Sequence, residues 1–147
     1  MTNLTRPVES AESPTGRFFT VETANRALSL VRPITADIVK QYAELMRSRT
    51  RFQTLSLENA HDDELEALND QIDAATERLN GLIDELHDVG AQLKDPRTGL
   101  IDFPALHEGR IVLLCWKVDE ERLAYWHELE TGFGGRQPIT ADFVAAG

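Results

Sequence analysis

The sequence predicts an α+β fold: a long antiparallel helical hairpin packed on a small antiparallel β-meander of three or four strands. Two long runs of apolar residues before Gly90 step by threes and fours, the period of a helix. After Gly90 the period falls to two, and turn residues separate short apolar runs. The chain of 147 residues has the length of one domain and enough surface to bury a core.

Residues 1–16 are rich in Ser, Thr, Pro and Glu without periodicity, and read as a flexible N-terminal tail. A single domain then spans residues 17–138, with the hairpin over about 20–89 and the meander over about 91–130. Thr20 can cap the first helix, Glu22 suits its first turn, and Phe19 can staple against the turn above. Its stripe is Ala24, Leu28, Val31, Thr35, Ile38, Tyr42, Leu45 and Phe52, with Arg49 as the one break and Pro33 as a point to kink or restart. The second stripe runs Leu65, Leu68, Ile72, Ala75, Leu79, Leu82, Leu86 and Val89, a coiled-coil-like seam. Gly81 inside it suggests a close approach, and Gly90 is placed to stop the helix. The short link near Leu57–His61 makes the helices antiparallel neighbours.

Ala91–Lys94 is a first strand, Asp95–Gly99 a turn and Leu100–Phe103 the return. Pro104–Gly109 reads as a loop, Arg110–Lys117 as the clearest strand, and Arg122–Leu129 as its partner. Residues 132–136 and the 139–147 tail lack a period. Pairing Phe103 with Arg110 and Cys115 with Tyr125 puts Ile101, Phe103, Val112, Leu114, Trp116 and Trp126 on a core face. The other face carries Asp102, Leu113, Cys115, Tyr125 and His127, too apolar for simple solvation and too polar for plain core. A slip of one residue would exchange the faces.

Lys and Arg number 15 and Asp and Glu 25, a net charge of −10 that argues against nucleic acid and against anionic membrane surfaces. The charge is uneven: residues 21–60 carry +2, residues 61–95 carry −9 and residues 96–147 carry −3. Arg47, Arg49 and Arg51 precede the hairpin turn, while Asp62, Asp63, Glu64 and Glu66 follow it, so opposite charges should face each other across it. The lone Cys115 excludes an intrachain disulfide and an all-cysteine metal site. With no apolar run fit for a signal peptide or a membrane span, a cytoplasmic protein is the expectation.

Several strings resemble the domain of unknown function 2203 family, an uncharacterised bacterial group. They are Phe19-Thr20-Val21-Glu22 with Asn25, Leu30-Val31-Arg32-Pro33-Ile34, Leu93-Lys94-Asp95 and Gly99 to Leu106. Cys115-Trp116, Trp126-His127-Glu128-Leu129 and Gly132-Phe133-Gly134-Gly135-Arg136 complete the set, which spans roughly residues 18–138. The resemblance implies a helix-hairpin-plus-sheet domain and no known activity. Its polar pattern falls on Asn25, Asp95, Asp102, His127, Glu128 and Arg136; His87 and His107 stand outside it.

Candidate chemistry centres on His127, which shares a face with Asp102, Cys115 and Tyr125. An imidazole beside a carboxylate can bind a divalent metal or act as a base. Asn25 and Arg136 are further candidate ligand or interface residues arriving from outside the sheet. Glu128 points the other way, and Cys115 in mid-strand suits an inert thiol better than a nucleophile. Asp84 and His87 are spaced i, i+3, and Asp37 is a candidate to lie opposite them; this is the spacing of carboxylate-bridged metal bundles without their paired motif. Gly132–Arg136 could cradle an anion but follows no strand into a helix, and His61 and His107 read as surface residues in loops. No motif matches an enzyme, so the reading leans away from catalysis. The leading expectation is a structural or protein-interaction module that self-associates, through the second sheet face or a leftover stripe of Ala27, Leu30, Ile34 and Met46. The alternative is a metal- or small-ligand-binding protein with its site around His127 and Asp102.

Overall fold

The computed structural model describes residues 17–59 and 61–146; the expected tail over residues 1–16 lies outside the described residues. Two helices open the chain, α1 (Val21–Leu57) and α2 (Asp62–Val89). A sheet follows from β1 (Gln92–Asp95), β2 (Leu100–His107), β3 (Arg110–Lys117), β4 (Tyr125–His127) and β5 (Gln137–Pro138), paired antiparallel in chain order. The α+β class and the helical hairpin hold, and the sheet has five strands where three or four were expected.

Thr20 caps α1: its hydroxyl accepts from the Thr23 amide at 3.0 Å, and the Thr23 hydroxyl accepts from the Thr20 amide at 2.8 Å. Both meet donors that the first turn leaves unpaired. Phe19 sits edge-on to Phe103 with ring centroids 5.1 Å apart, and its amide donates to the Pro104 carbonyl, so the helix start is pinned to β2. Helix α1 continues through Pro33 without interruption, with the proline ring on the exposed side. The core of α1 is Ala24, Leu28, Val31, Ile34, Thr35, Ile38 and Leu45. Helix α2 answers with Leu68, Ala75, Leu79, Ile83 and Leu86, and ends at Gly90 in the left-handed conformation, φ 105°. Gly81 is exposed and a side chain there would meet nothing within 4 Å, so the expected close approach is absent.

The sheet differs from expectation at Pro104. Strand β2 runs through it to His107, and the β2–β3 turn is Glu108–Gly109, both at positive φ (52° and 77°) as a two-residue hairpin turn requires. Proline is tolerated because β1 pairs with β2 only as far as Asp102, so β2 is an edge strand at Pro104 and its missing N–H breaks no ladder there. The register follows: Phe103 faces Leu114, not Arg110, while Cys115 faces Tyr125 as expected. Ile101, Phe103, Val112, Leu114, Trp116 and Trp126 pack with the helices in one core cluster.

The stretch expected to be loop and tail contains β5 and a short helix, α3 (Ala141–Ala146). The Thr140 hydroxyl caps α3 by accepting from the Phe143 amide. Phe143 then stacks on His107 at 3.9 Å, beside Trp126. His107, expected on the surface, is therefore buried.

Candidate functional site

The sheet face turned away from the helices gathers three donors. Asp102 is opposite Cys115 on the β2–β3 ladder, and His127 lies two residues along β4 from Tyr125, the partner of Cys115. One donor atom from each of Asp102, Cys115 and His127 lies within 4.8 Å of the other two, and all three residues are buried, at 1%, 0% and 3% exposure. Among the described residues this is the one such group of three; Asp37, Asp84 and His87 form none.

The two ring nitrogens of His127 have different partners. Nδ1 lies 2.7 Å from the Glu128 carbonyl oxygen, while Nε2 lies 3.2 Å from both carboxylate oxygens of Asp102. A carbonyl only accepts, so Nδ1 carries a hydrogen and Nε2 is the nitrogen presented to Asp102. In the neutral ring Nε2 would aim a lone pair at a carboxylate, so a positive centre must lie between them. That centre is a proton. Burial opposes a charged ring, but hydrogen bonds to Asp102 and Cys115, the Asp102 charge and the Glu128 carbonyl outweigh it, and the pKa is pushed up from 6.5 to about 10.

This arrangement is unlike a nucleophilic triad. There a histidine uses one nitrogen for the nucleophile and the other for its orienting acid. Here Nδ1 is engaged by a backbone carbonyl, so Cys115 and the acid Asp102 meet the same nitrogen, Nε2. A histidine whose far nitrogen donates to a backbone carbonyl does have the orientation found at metal sites.

The remaining candidates divide. Tyr125 borders the cluster and is covered by Arg136, whose guanidinium lies 4.0 Å from the Tyr125 ring centroid and 4.7 Å from that of Phe133. Arg136 is occupied: it pairs bidentately with Glu120 at 2.8 and 2.9 Å and donates to the Cys115 carbonyl at 3.3 Å. Burial acts against its charge, yet the Glu120 hydrogen bond prevails and its pKa is raised. Glu120 shows the converse: burial opposes its charge, but Arg136 and the Lys117 amide hold its carboxyl below the usual range. The glycine-rich segment therefore folds Arg136 onto the sheet, with its charge spent on Glu120.

Asn25 is not part of the cluster. From α1 it accepts from the Leu123 amide at 2.8 Å and donates to the Leu123 carbonyl at 3.2 Å, clamping the β3–β4 connection on the helix side. Arg32, which sequence reasoning passed over as a site residue, does the same work through the Glu120 and Glu121 carbonyls at 3.0 and 2.7 Å. Its only sequence signal was its place in a family string. Glu128 points away from the cluster and pairs with Arg110 at 2.7 Å.

A model of one protein family, described as an uncharacterized conserved protein (DUF2203), matches residues 17–139. The chain belongs to the DUF2203 family. The matched region covers α1 through β5 and so takes in Asp102, Cys115 and His127 of this DUF2203 member. No curated protein and no solved structure matches the chain. No helix of the described residues is long and apolar enough to cross a membrane.

Proposed function

We propose that this chain binds a divalent transition-metal ion of the zinc class through His127 Nε2, an Asp102 carboxylate oxygen and Cys115 Sγ. The observation that carries the reading is the Nδ1–Glu128 carbonyl contact, which commits Nε2 to the space shared with Asp102 and Cys115. Ligand atoms bonded to zinc at ~2.0–2.3 Å stand about 3.3–3.8 Å apart in a tetrahedron. The observed 3.2 Å between Nε2 and Asp102, and the 4.8 Å bound on the whole group, need only small side-chain movements to meet that spacing. Nitrogen, oxygen and sulfur together select zinc, cobalt or copper over magnesium or calcium. The near-complete burial of all three favours an ion that braces the sheet over one that meets substrate.

The test is elemental analysis of the tag-free protein, followed by loading of metal-stripped protein with cobalt(II). Near-stoichiometric metal is expected, with a thiolate-to-cobalt charge-transfer band that Cys115→Ser removes and His127→Ala abolishes together with binding. Circular dichroism on both variants checks that each is folded. A folded wild type that takes up no zinc or cobalt would leave Asp102 and His127 as a buried ion pair and refute the reading.

A further inference from the structure

The turn end of the hairpin lies outside the core cluster. No residue of α1 after Leu45 and none of α2 before Leu68 is buried. From Leu45 to Leu57 this arm is roughly 18 Å long at ~1.5 Å per residue. Its seam residues Phe52, Leu55 and Leu65 are only half-buried, since two helices cannot enclose a stripe that three or four could. A groove runs along one side of the arm between the helices, with the small Ser48, Ala67 and Ala74 on its floor and the charged Arg47, Arg51 and Glu64 among its walls.

The arm is also charged in two rows. Residues 46–57 of α1 contain Arg47, Arg49 and Arg51 and no acid, whereas residues 61–78 of α2 contain seven carboxylates and one arginine. Asp63, Glu66, Asp70, Asp73 and Glu77 are all exposed and recur in steps of three and four. The expected pairing across the turn does not occur: among the described residues no ion pair or hydrogen bond joins the three arginines to any carboxylate. Each arm therefore carries both halves of a complementary surface, and within one chain they share the groove without forming a direct ion pair.

We propose that the occupant of this groove is a second copy of the chain, forming a four-helix bundle about a two-fold axis that runs along the arms. Charge selects that axis. A two-fold axis across the arms would lay the acidic row on its own copy, whereas an axis along them lays α1 of one copy against α2 of the other. Arg47 lines the groove beside Gln71, and Arg51 lines it with Glu64 and Ala67, so an axis along the arms brings Arg47 level with Asp70 of the partner subunit and Arg51 level with Glu64 of the partner subunit. Every α1–α2 neighbour pair is then antiparallel, as in an up-down bundle. The stripes already buried in the core, Ala24 to Ile38 on α1 and Leu79 to Leu86 on α2, take no part, and the interface is confined to the arm.

Sedimentation velocity across protein concentrations tests this on the full chain. The wild type should reach twice 16.5 kDa, weakening as salt rises. The double variant Arg47→Glu/Arg51→Glu should be a folded monomer, as should Glu64→Arg/Asp70→Arg. An equimolar mixture of the two should recover dimer. A wild type monomeric at high concentration, a dimer indifferent to both variants, or a mixture that stays monomeric would each overturn the proposal. All four substituted residues are exposed, so the fold should survive, and circular dichroism verifies that.

Discussion

Gly99 closes the turn between β1 and β2, and replacing it with alanine separates two costs. Its φ of +74° is a left-handed conformation, in which a Cβ costs ~1–2 kcal/mol. That Cβ would also lie 2.8 Å from Val118 Cγ1, 2.9 Å from Val118 Cβ and 3.1 Å from Thr35 Cγ2. Turning the valine side chain can relieve the first contact but not the second, because Cβ does not move with χ1. The backbone must move instead, yet the Gly99 amide donates to the Asp95 carbonyl and the Gly99 carbonyl accepts from the Val118 amide. Overpacking of this kind costs ~1–3 kcal/mol, so Gly99→Ala should lose about 2–5 kcal/mol in all. Gly109 is the control: its φ is +77°, but nothing lies within 4 Å of a Cβ there, so Gly109→Ala should lose only the ~1–2 kcal/mol of strain. Urea denaturation of the three proteins measures both. With a slope of roughly 2 kcal/mol per molar, the Gly99 midpoint should fall by about 1–2.5 M and the Gly109 midpoint by half that or less. Equal losses would show that Val118 yields without cost, and would refute the packing argument.

Two other perturbations test the surroundings of the site. Because the folded pKa of Glu120 is depressed, its pairing with Arg136 stabilises the protein above the unfolded value near 4.5 and is lost as pH falls through the folded value. Glu120→Gln should therefore flatten the fall of melting temperature as pH drops below the unfolded value near 4.5, and should cost about 1 kcal/mol at pH 7, the pair being partly open to solvent; an unchanged acid limb would sink this. Asn80 is buried at 6% exposure and neither atom of its amide has a hydrogen-bond partner, so Asn80→Leu should raise stability by about 1 kcal/mol in the same urea assay. A loss would mean that the amide is satisfied in solution.

The helices were legible because their evidence is local and repeated. Seven buried α1 positions and the α2 seam recur at helical spacing, and Thr20 and Gly90 mark two of the ends by chemistry that any context preserves. The parts that were not legible depend on tertiary context. Proline argues against a strand unless the neighbouring strand has already stopped, and the length of β1 cannot be read at Pro104. Strand β5 is only Gln137–Pro138, too short to show a period, and α3 has one turn and a half for its stripe. Its cap at Thr140 with Asp142 in the first turn was the available signal. The unpaired arginines of the arm are the reverse case, where the sequence pattern suggested a contact that the packing does not make.

The juxtaposition of Asp102, Cys115 and His127 does not depend on the expected register of β2 against β3. The expected pairing of Phe103 with Arg110 is four residues away from the observed pairing of Phe103 with Leu114. A displacement by an even number of residues moves a strand along its partner without turning it over, so every side chain keeps its face. Asp102 therefore remained with Cys115 and His127 even though its predicted neighbour was wrong. What the faces could not supply was direction within the plane of the ring. Nothing in the string Trp126-His127-Glu128 distinguishes Nδ1 from Nε2, and the assignment comes from the Glu128 carbonyl folding back 2.7 Å from Nδ1. That backbone contact, set by where β4 ends, is what turns three residues on a shared face into donors converging on one point.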